Sequence, residues 1–245
     1  MHRTIEKSDR NVKVYLVGGA VRDQLLGKQP KDFDYSVEAQ SYEAMVSWIS
    51  KQGKVFLESP KHFTVRAHLE GKLPADYVLC RKEGPYSDGR RPDWVEPGTL
   101  FDDLSRRDFT VNAIAFDEES KVYIDHFGGI DDLKKGILRC VGSARLRFKE
   151  DALRMLRAMR FKITKGFELD EAVKSSLRDP ELIRLLSDNI SADRKRDELM
   201  KCFSFDTVQT LSFLCEIGPD FQKAIFQGAS PLWLVPTSKR VLGSY

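Results

Sequence analysis

The sequence predicts an α/β or α+β head built on a mixed sheet, followed by an all-helical region, and three observations carry that expectation. Short runs rich in β-branched and aromatic residues, such as Val12-Lys-Val-Tyr-Leu-Val17, alternate with helical patterns as far as about Leu138. Two glycine pairs, Gly18-Gly19 and Gly128-Gly129, punctuate that half as turns leading into helices. Past Leu138 the apolar spacing becomes helical, with short polar connections. At 245 residues and 41% apolar composition the chain can bury a sizeable core, as one large domain or two modest ones.

In chain order, residues 12–17 read as a strand running into Gly18-Gly19, with a short helix at 20–26. A second strand is predicted at 31–37, an amphipathic helix at 42–52, and short strands at 54–57, 63–69 and 75–80. Residues 81–100 are rich in Gly, Pro, Asp and Arg and read as a mobile loop near a functional site. Residues 109–116 are helical or extended, 122–125 a strand, and 130–135 a short helix after the second glycine pair. Helices are expected at 149–164, 170–177, 180–186, 191–203 and 206–216.

Forty basic and thirty-seven acidic residues leave a net charge of +3, which excludes a tail-driven polycation and puts any anion binding in local clusters. Cys80, Cys140, Cys202 and Cys215 are far apart and form no C-x-x-C pair, so neither a zinc site nor a disulfide framework is predicted. The first fourteen residues lack an apolar signal region, and no apolar run approaches the roughly 20 residues that span a bilayer. These features predict a soluble protein of a reducing, cytoplasmic compartment.

Several residue groups point to phosphate and metal chemistry. In Asp32-Phe-Asp34 a strand would project both carboxylates to one face and Phe33 to the other. Two such charges about 6–7 Å apart favour a cation between them, and hard oxygen ligands of this kind suit Mg²⁺. Solvated acids at a strand end are the plain alternative. Gly18-Gly19 would let backbone N–H groups approach an anion, with Arg22 one turn into the following helix. Asp76 is a third acid inside an apolar strand, either an edge residue or a proton acceptor on the metal face. Arg106 and Arg107 offer forked donors for phosphate, while Asp108 and Asn112 would share a helical face and hold a ribose or orient the arginines; a capped, ion-paired helix start is the plain alternative. Asp151, Arg154 and Arg157 lie along a polar stripe at i, i+3 spacing, beside an apolar face of Leu153, Leu156 and Met159. An Asp acceptor beside an Arg donor matches cytosine or adenine, which pair an exocyclic amino group with a ring acceptor, and opposes uracil or guanine. Mismatches of this kind cost about 1–3 kcal/mol each. A stripe of Arg139, Arg145, Arg147 and Lys149, continued by Arg160, Lys162 and Lys165, is either a track for RNA phosphates or an ordinary solvated surface.

As an ordered set, Leu16-Val-Gly-Gly-Ala-Val-Arg-Asp-Gln-Leu-Leu-Gly27, Pro30-Lys-Asp-Phe-Asp34, Arg106-Arg-Asp-Phe-Thr-Val-Asn-Ala113 and Glu150-Asp-Ala-Leu-Arg154 resemble class II tRNA nucleotidyltransferases. These are the CCA-adding enzymes and their relatives, the bacterial poly(A) polymerases. The resemblance extends from about Val12 to Phe203, and it implies an α+β fold: a nucleotidyltransferase head with a mixed sheet and flanking helices over 1–138, a helical, nucleobase-selecting neck over 139–203, and a shortened helical body over 204–245.

The same resemblance implies that Asp32 and Asp34 bind two catalytic Mg²⁺ ions, with Asp76 as the third carboxylate. Asp151 and Arg154 match the pair that reads the incoming C or A. Gly18, Gly19, Arg22, Arg106, Arg107, Asp108, Asn112 and Arg157 match positions that bind triphosphate and ribose or shape that pocket. Asp125-His-Phe-Gly-Gly-Ile-Asp131 resembles the hinge between head and neck, and Ile190-Ser-Ala-Asp-Arg-Lys-Arg-Asp-Glu-Leu-Met-Lys201 resembles a later neck motif in which Asp193 replaces the more usual Glu. The segment 81–93 resembles the loop that helps to switch specificity from C to A. The implied activity is template-independent addition of C and A from CTP and ATP to the 3′ end of a tRNA. A poly(A) polymerase, an enzyme adding only CC or only A, and an inactive RNA-binding protein of the same fold are the alternatives.

Overall fold

The computed structural model describes residues 12–30, 32–86 and 92–226. Lys31, the middle of the 81–93 loop and the segment beyond Phe226 therefore lie outside the described residues. The head opens with β1 (Lys13–Val17), α1 (Gly19–Leu25), β2 (Asp34–Glu38), α2 (Tyr42–Gln52), β3 (Gly53–Ser59), β4 (Thr64–Leu69) and β5 (Ala75–Leu79). It continues through β6 (Arg81–Glu83), β7 (Val95–Pro97), α3 (Leu100–Ser105), β8 (Ile114–Asp117), β9 (Val122–Asp125) and α4 (Gly129–Lys135). After β10 (Ile137–Leu138) come α5 (Ala144–Glu150), α6 (Leu153–Lys165), β11 (Glu168–Leu169), α7 (Glu171–Ser176), α8 (Pro180–Asn189), α9 (Ala192–Phe205), α10 (Thr207–Ile217) and α11 (Pro219–Phe226). The architecture is α+β.

Seven strands form one sheet in the order β3-β4-β5-β2-β1-β8-β9. β2 and β5 run parallel and every other neighbouring pair is antiparallel, so the sheet is mixed, as expected. The parallel register sets Asp34 against Asp76 and Tyr35 against Tyr77. Because side chains alternate across the pleat, the two acids share one face and the two tyrosines the other. The tyrosines stack with ring centroids 4.9 Å apart, in a core that also holds Met45 and Ile49 of α2.

Local chemistry starts these elements where it does. Ser41 caps α2 by accepting from the Ala44 N–H, Thr99 and Asp102 close a reciprocal capping box on α3, and Asp179 caps α8 ahead of Pro180. Asp125 accepts from the N–H groups of Phe127, Gly129 and Ile130, which fixes the entry to α4. A Cβ on Gly129 would lie 2.1 Å from the Thr110 carbonyl, so α4 can pack there only because position 129 is glycine.

Four expectations are corrected. The second strand begins at Asp34, so Asp32 and Phe33 form its lead-in and not its first residues. The helix expected over 149–164 is two helices that break at Asp151, whose extended backbone (φ −149°) ends α5. Residues 109–116 are neither one helix nor one strand: a 3₁₀ turn, Thr110–Asn112, leads into β8. The 81–100 stretch contains the β6–β7 hairpin and the start of α3. Among the described residues no helix is long and apolar enough to cross a membrane.

The largest apolar cluster joins head to helices. Phe109, Val111, Leu133 and Leu138 pack in one continuous core with Phe148, Leu156, Met159, Phe161, Leu199 and Phe221. Backbone bonds from Thr110 N–H to Arg139 O and from Val141 N–H to Asp108 O sew the same junction.

Candidate active site

A cleft of about 920 Å³ opens between the sheet and the helices that follow it. Its acids are Asp32, Asp34, Asp108 and Asp151, and its cations are Arg22, Arg106, Arg107, Arg154, Arg157, Arg160, Arg194, Lys165 and Lys201. Gly18, Gly19 and Asn112 complete the set of sequence-predicted residues that line it. Asp76 is set beside Asp34 by the strand register, and its carboxylate lies 3.7 Å from Arg66.

The strand side carries the carboxylates. Asp34 opens onto the cleft, yet the surrounding protein strips hydration from it and pushes its carboxyl above the ordinary range. The charge of Asp76 adds to that rise, Arg107 opposes it, and Asp32 adds a smaller increment. Among the described residues no three His, Cys, Asp or Glu side chains stand close enough to hold a metal ion by themselves. A cation held here would draw further ligands from water or from a phosphate.

Gly18 links this floor to the arginines. Its φ of +68° and ψ of −131° suit glycine, and a Cβ would approach a terminal nitrogen of Arg107 to 3.1 Å. Gly19 is less constrained, since a Cβ there would meet Arg22 only at 3.4 Å. The Arg107 guanidinium donates to the Asn112 carbonyl at 3.2 Å, to Ser36 Oγ at 3.2 Å and to Asp103 at 3.0 Å. Asp103 is fully buried and also accepts from Arg106 and from the Ser36 hydroxyl. Burial alone would raise its carboxyl, but Arg106, Arg107 and Ser36 outweigh burial and hold it well below the usual carboxylate range.

Asp108 and Asn112 are hydrogen-bonded to each other and to two arginines of the cleft. Asn112 Nδ2 donates to Asp108 Oδ1 at 3.0 Å, Arg22 donates to Asn112 Oδ1 at 2.6 Å, and Arg157 Nε donates to Asp108 Oδ2 at 2.7 Å. They meet across the 3₁₀ turn and not along an α-helical face. Burial raises the Asp108 carboxyl, and the Arg157 charge with the Asn112 amide reverses that shift and lowers it.

The helical side differs from its expected pattern in one respect. Asp151 lies ahead of α6, where its Oδ1 accepts from the Leu153 N–H at 3.1 Å, so it does not share a helical stripe with Arg154. Arg154 donates to Glu150 at 2.7 Å and to the carbonyls of Arg147 and Arg106 at 3.1 and 2.9 Å. Asp151 is gripped by Arg194 of α9.

The basic stripe divides. Arg160 and Lys165 reach the cleft. Arg139 is bound to Asp132 and Asp170, Arg145 to Asp179 and Glu181, Lys149 to Glu181, and Lys162 to Glu168. Arg145 and Lys149 thereby tie α5 to α8, Arg139 links Asp132 of α4 to Asp170 at the start of α7, and Lys162 joins α6 to β11. Sequence reasoning missed Asp103, Ser36, Arg194 and Lys201. Spacings of three and four from Asp103 to Arg106 and Arg107 are a signal that finds the first; the others come from distant segments.

A profile of the Poly A polymerase head domain matches residues 14–139, just over half of the chain. The CCA-adding enzyme of Lactobacillus johnsonii is 41% identical over 197 residues, covering 80% of this chain and 47% of that protein. That of Geobacillus thermodenitrificans is 39% identical over 209 residues, covering 84% and 49%. Among solved structures, the Bacillus stearothermophilus CCA-adding enzyme in complex with CTP superposes with a TM-score of 0.72 at 34% identity, over 84% of this chain and 48% of that one. The Thermotoga maritima CCA-adding enzyme complexed with tRNA gives 0.71 at 30% identity, over 88% and 48%. The chain spans about half the length of the curated relatives it matches. With the ordered motifs, the mixed sheet and the matched head in agreement, the chain belongs to the Poly A polymerase head domain family.

Proposed function

We propose that this chain is the catalytic head and neck of a template-independent nucleotidyltransferase that adds C and A from CTP and ATP to the 3′ end of tRNA, with release of pyrophosphate. One observation carries the reading: Asp32 and Asp34 on the strand side share a single cleft with Asp151 and Arg154 on the helical side. The CCA-adding relatives, and solved structures of such enzymes with CTP and with tRNA, support the substrate assignment. In this reading residues 1–138 are the head, 139–203 the nucleobase-selecting neck, and residues from 204 onward belong to the body. Four free cysteines suit a reducing, cytoplasmic setting.

The donor set fits a hard divalent cation: hard carboxylate oxygens of Asp34 and Asp32 face the cleft with Asp76 in register beside Asp34, and burial first, then the Asp76 charge, disfavour the Asp34 carboxylate in a way that a cation would relieve. Asp32 and Asp34 are the residues that would hold Mg²⁺. A cation bound there would supply the Lewis acidity that lowers the pKa of the attacking 3′-hydroxyl and offsets charge on the departing pyrophosphate. Asp76 takes the hydroxyl proton. The open backbone at Gly18 and Gly19, with Arg22, Arg106, Arg107 and Arg157, receives the triphosphate, while Asp108 and Asn112 keep Arg157 and Arg22 in place. Asp151 accepts from the exocyclic amino group of C or A, and Arg154 donates to the adjacent ring acceptor.

The test is a matrix of tRNAs ending at the discriminator base, at C and at CC, each incubated with one nucleoside triphosphate. CTP is expected to extend the first two and ATP the third by a single residue. A long ladder of A, or equal use of UTP and GTP, overturns the reading. Asp34→Ala is expected to abolish incorporation while tRNA retention on a filter persists.

A further inference from the structure

Asp151 selects a base only if its carboxylate is held, and its own backbone does not hold it. α5 ends on this residue, α6 begins two residues later, and the extended backbone leaves it between helices. Its expected neighbour Arg154 donates to Glu150 and to two backbone carbonyls, and none of these bonds goes to Asp151. What fixes the carboxylate comes from a distant segment: Arg194, in the first turns of α9, donates to Oδ1 at 3.3 Å and to Oδ2 at 2.7 Å. The fork is partly sheltered, with Arg194 27% and Asp151 18% exposed at the side chain.

We infer that Arg194 is a specificity-determining positioning residue that sets the orientation in which Asp151 meets the incoming base. This rests on the base-reading role assigned to Asp151 above. A carboxylate offers about four acceptor sites. Leu153 N–H and the two Arg194 nitrogens use three of them, leaving one lone pair to face the cleft. A lone pair in a fixed direction accepts the amino N–H of cytosine or adenine and repels the carbonyl of uracil or guanine. Without the fork the carboxylate turns about its side-chain bonds and that contrast fades. Planar bidentate contact is a property of arginine that lysine reproduces only in part.

Equilibrium binding of CTP, UTP, ATP and GTP with Mg²⁺ to the full chain, without acceptor RNA, tests this. Arg194→Met is expected to reduce the CTP-over-UTP and ATP-over-GTP preferences about tenfold. The loss falls on CTP and ATP, while UTP affinity, which reports the triphosphate contacts, stays near the wild-type value. Arg194→Lys should be intermediate, and on an Asp151→Asn background Arg194→Met should change the preference little, since the two act as one unit. A folded Arg194→Met chain with unchanged preferences, or an additive double variant, overturns the inference and leaves the proposed function standing. Should Arg194→Met fail to fold, the preferences of Arg194→Lys decide the matter, and failure of both to fold assigns Arg194 to stability and overturns the inference. A wild-type chain with no preference among the four removes the base-reading role itself.

Discussion

Asp103 shows how much a single buried side chain organises. It touches no cleft solvent, yet its carboxylate is the shared partner of Arg106, Arg107 and Ser36, so it sets where two of the expected phosphate donors stand. Its folded carboxyl is held below the unfolded value of about 3.9. A group depressed in this sense adds stability that is present above the unfolded value and lost as pH falls through the folded one. Urea titrations are therefore expected to show stability declining from about pH 5 downward, with Asp103→Asn flattening part of that decline. At neutral pH the same substitution leaves Arg106 with Glu83 alone and takes from the partly buried Arg107 its carboxylate partner Asp103, and should cost about 3 kcal/mol. An unchanged acid limb in Asp103→Asn would place the dependence elsewhere. The residue was readable from its spacing to Arg106 and Arg107, but its burial was not, because burial depends on β2 and α3 meeting at Ser36.

At the scale of elements, junctions decide the site more than helices or strands do. The β1–α1 turn needs Gly18 in a conformation that L side chains rarely adopt, and the Arg107 guanidinium passes beneath it. Gly18→Ala should cost about 1–3 kcal/mol of stability through backbone strain. It should also weaken triphosphate binding in a direct titration, because Arg107 must shift. Wild-type melting and binding in that variant would show that the glycine is incidental. The α5–α6 break was hidden in the sequence, where 149–164 keeps one helical apolar period. The side chain of Asp151 competes with the helix by capping the Leu153 N–H, and a local hydrogen bond of that kind leaves no periodic trace. The lead-in at Asp32 was misjudged for a related reason: a strand starts where a partner is available, and the β2–β5 pairing starts at Asp34 opposite Asp76.

For the molecule as a whole, the sheet-bearing head and the helices are expected to unfold as one unit, because the largest apolar cluster is shared between them. Phe109, from the head, packs edge-to-face on Phe161 of α6 with centroids 5.4 Å apart. Phe109→Ala is expected to cost about 3–5 kcal/mol and to lower the urea midpoint of helical circular dichroism and of β1 and β2 amide protection together. Separate midpoints would show two independent units. One ion pair and two hydrogen bonds reinforce the junction: Arg157 reaches back to Asp108, and Arg147 and Arg154 donate to the backbone carbonyls of Ser105 and Arg106.

Sequence by itself determined a mixed-sheet head followed by helices, the element types through most of that head, and, through the ordered motifs, most of the residues that line the cleft, because period, turn chemistry and motifs are all local properties of the chain. Twelve of the expected site residues, Gly18 through Arg157, line one cavity with no adjustment of their identities, and Asp76 stands in register with one of them. Only the tertiary structure decided who holds whom. That Asp151 is gripped by Arg194 and not by Arg154, that Asp103 anchors two arginines from a buried position, and that Arg139, Arg145 and Lys149 of the basic stripe are taken up by ion pairs follow from approaches between segments far apart in the chain. A charge and its partner can be recognised locally when they are three or four residues apart on one helix; when forty-three separate them, as for Asp151 and Arg194, their pairing is set by how α6 packs on α9.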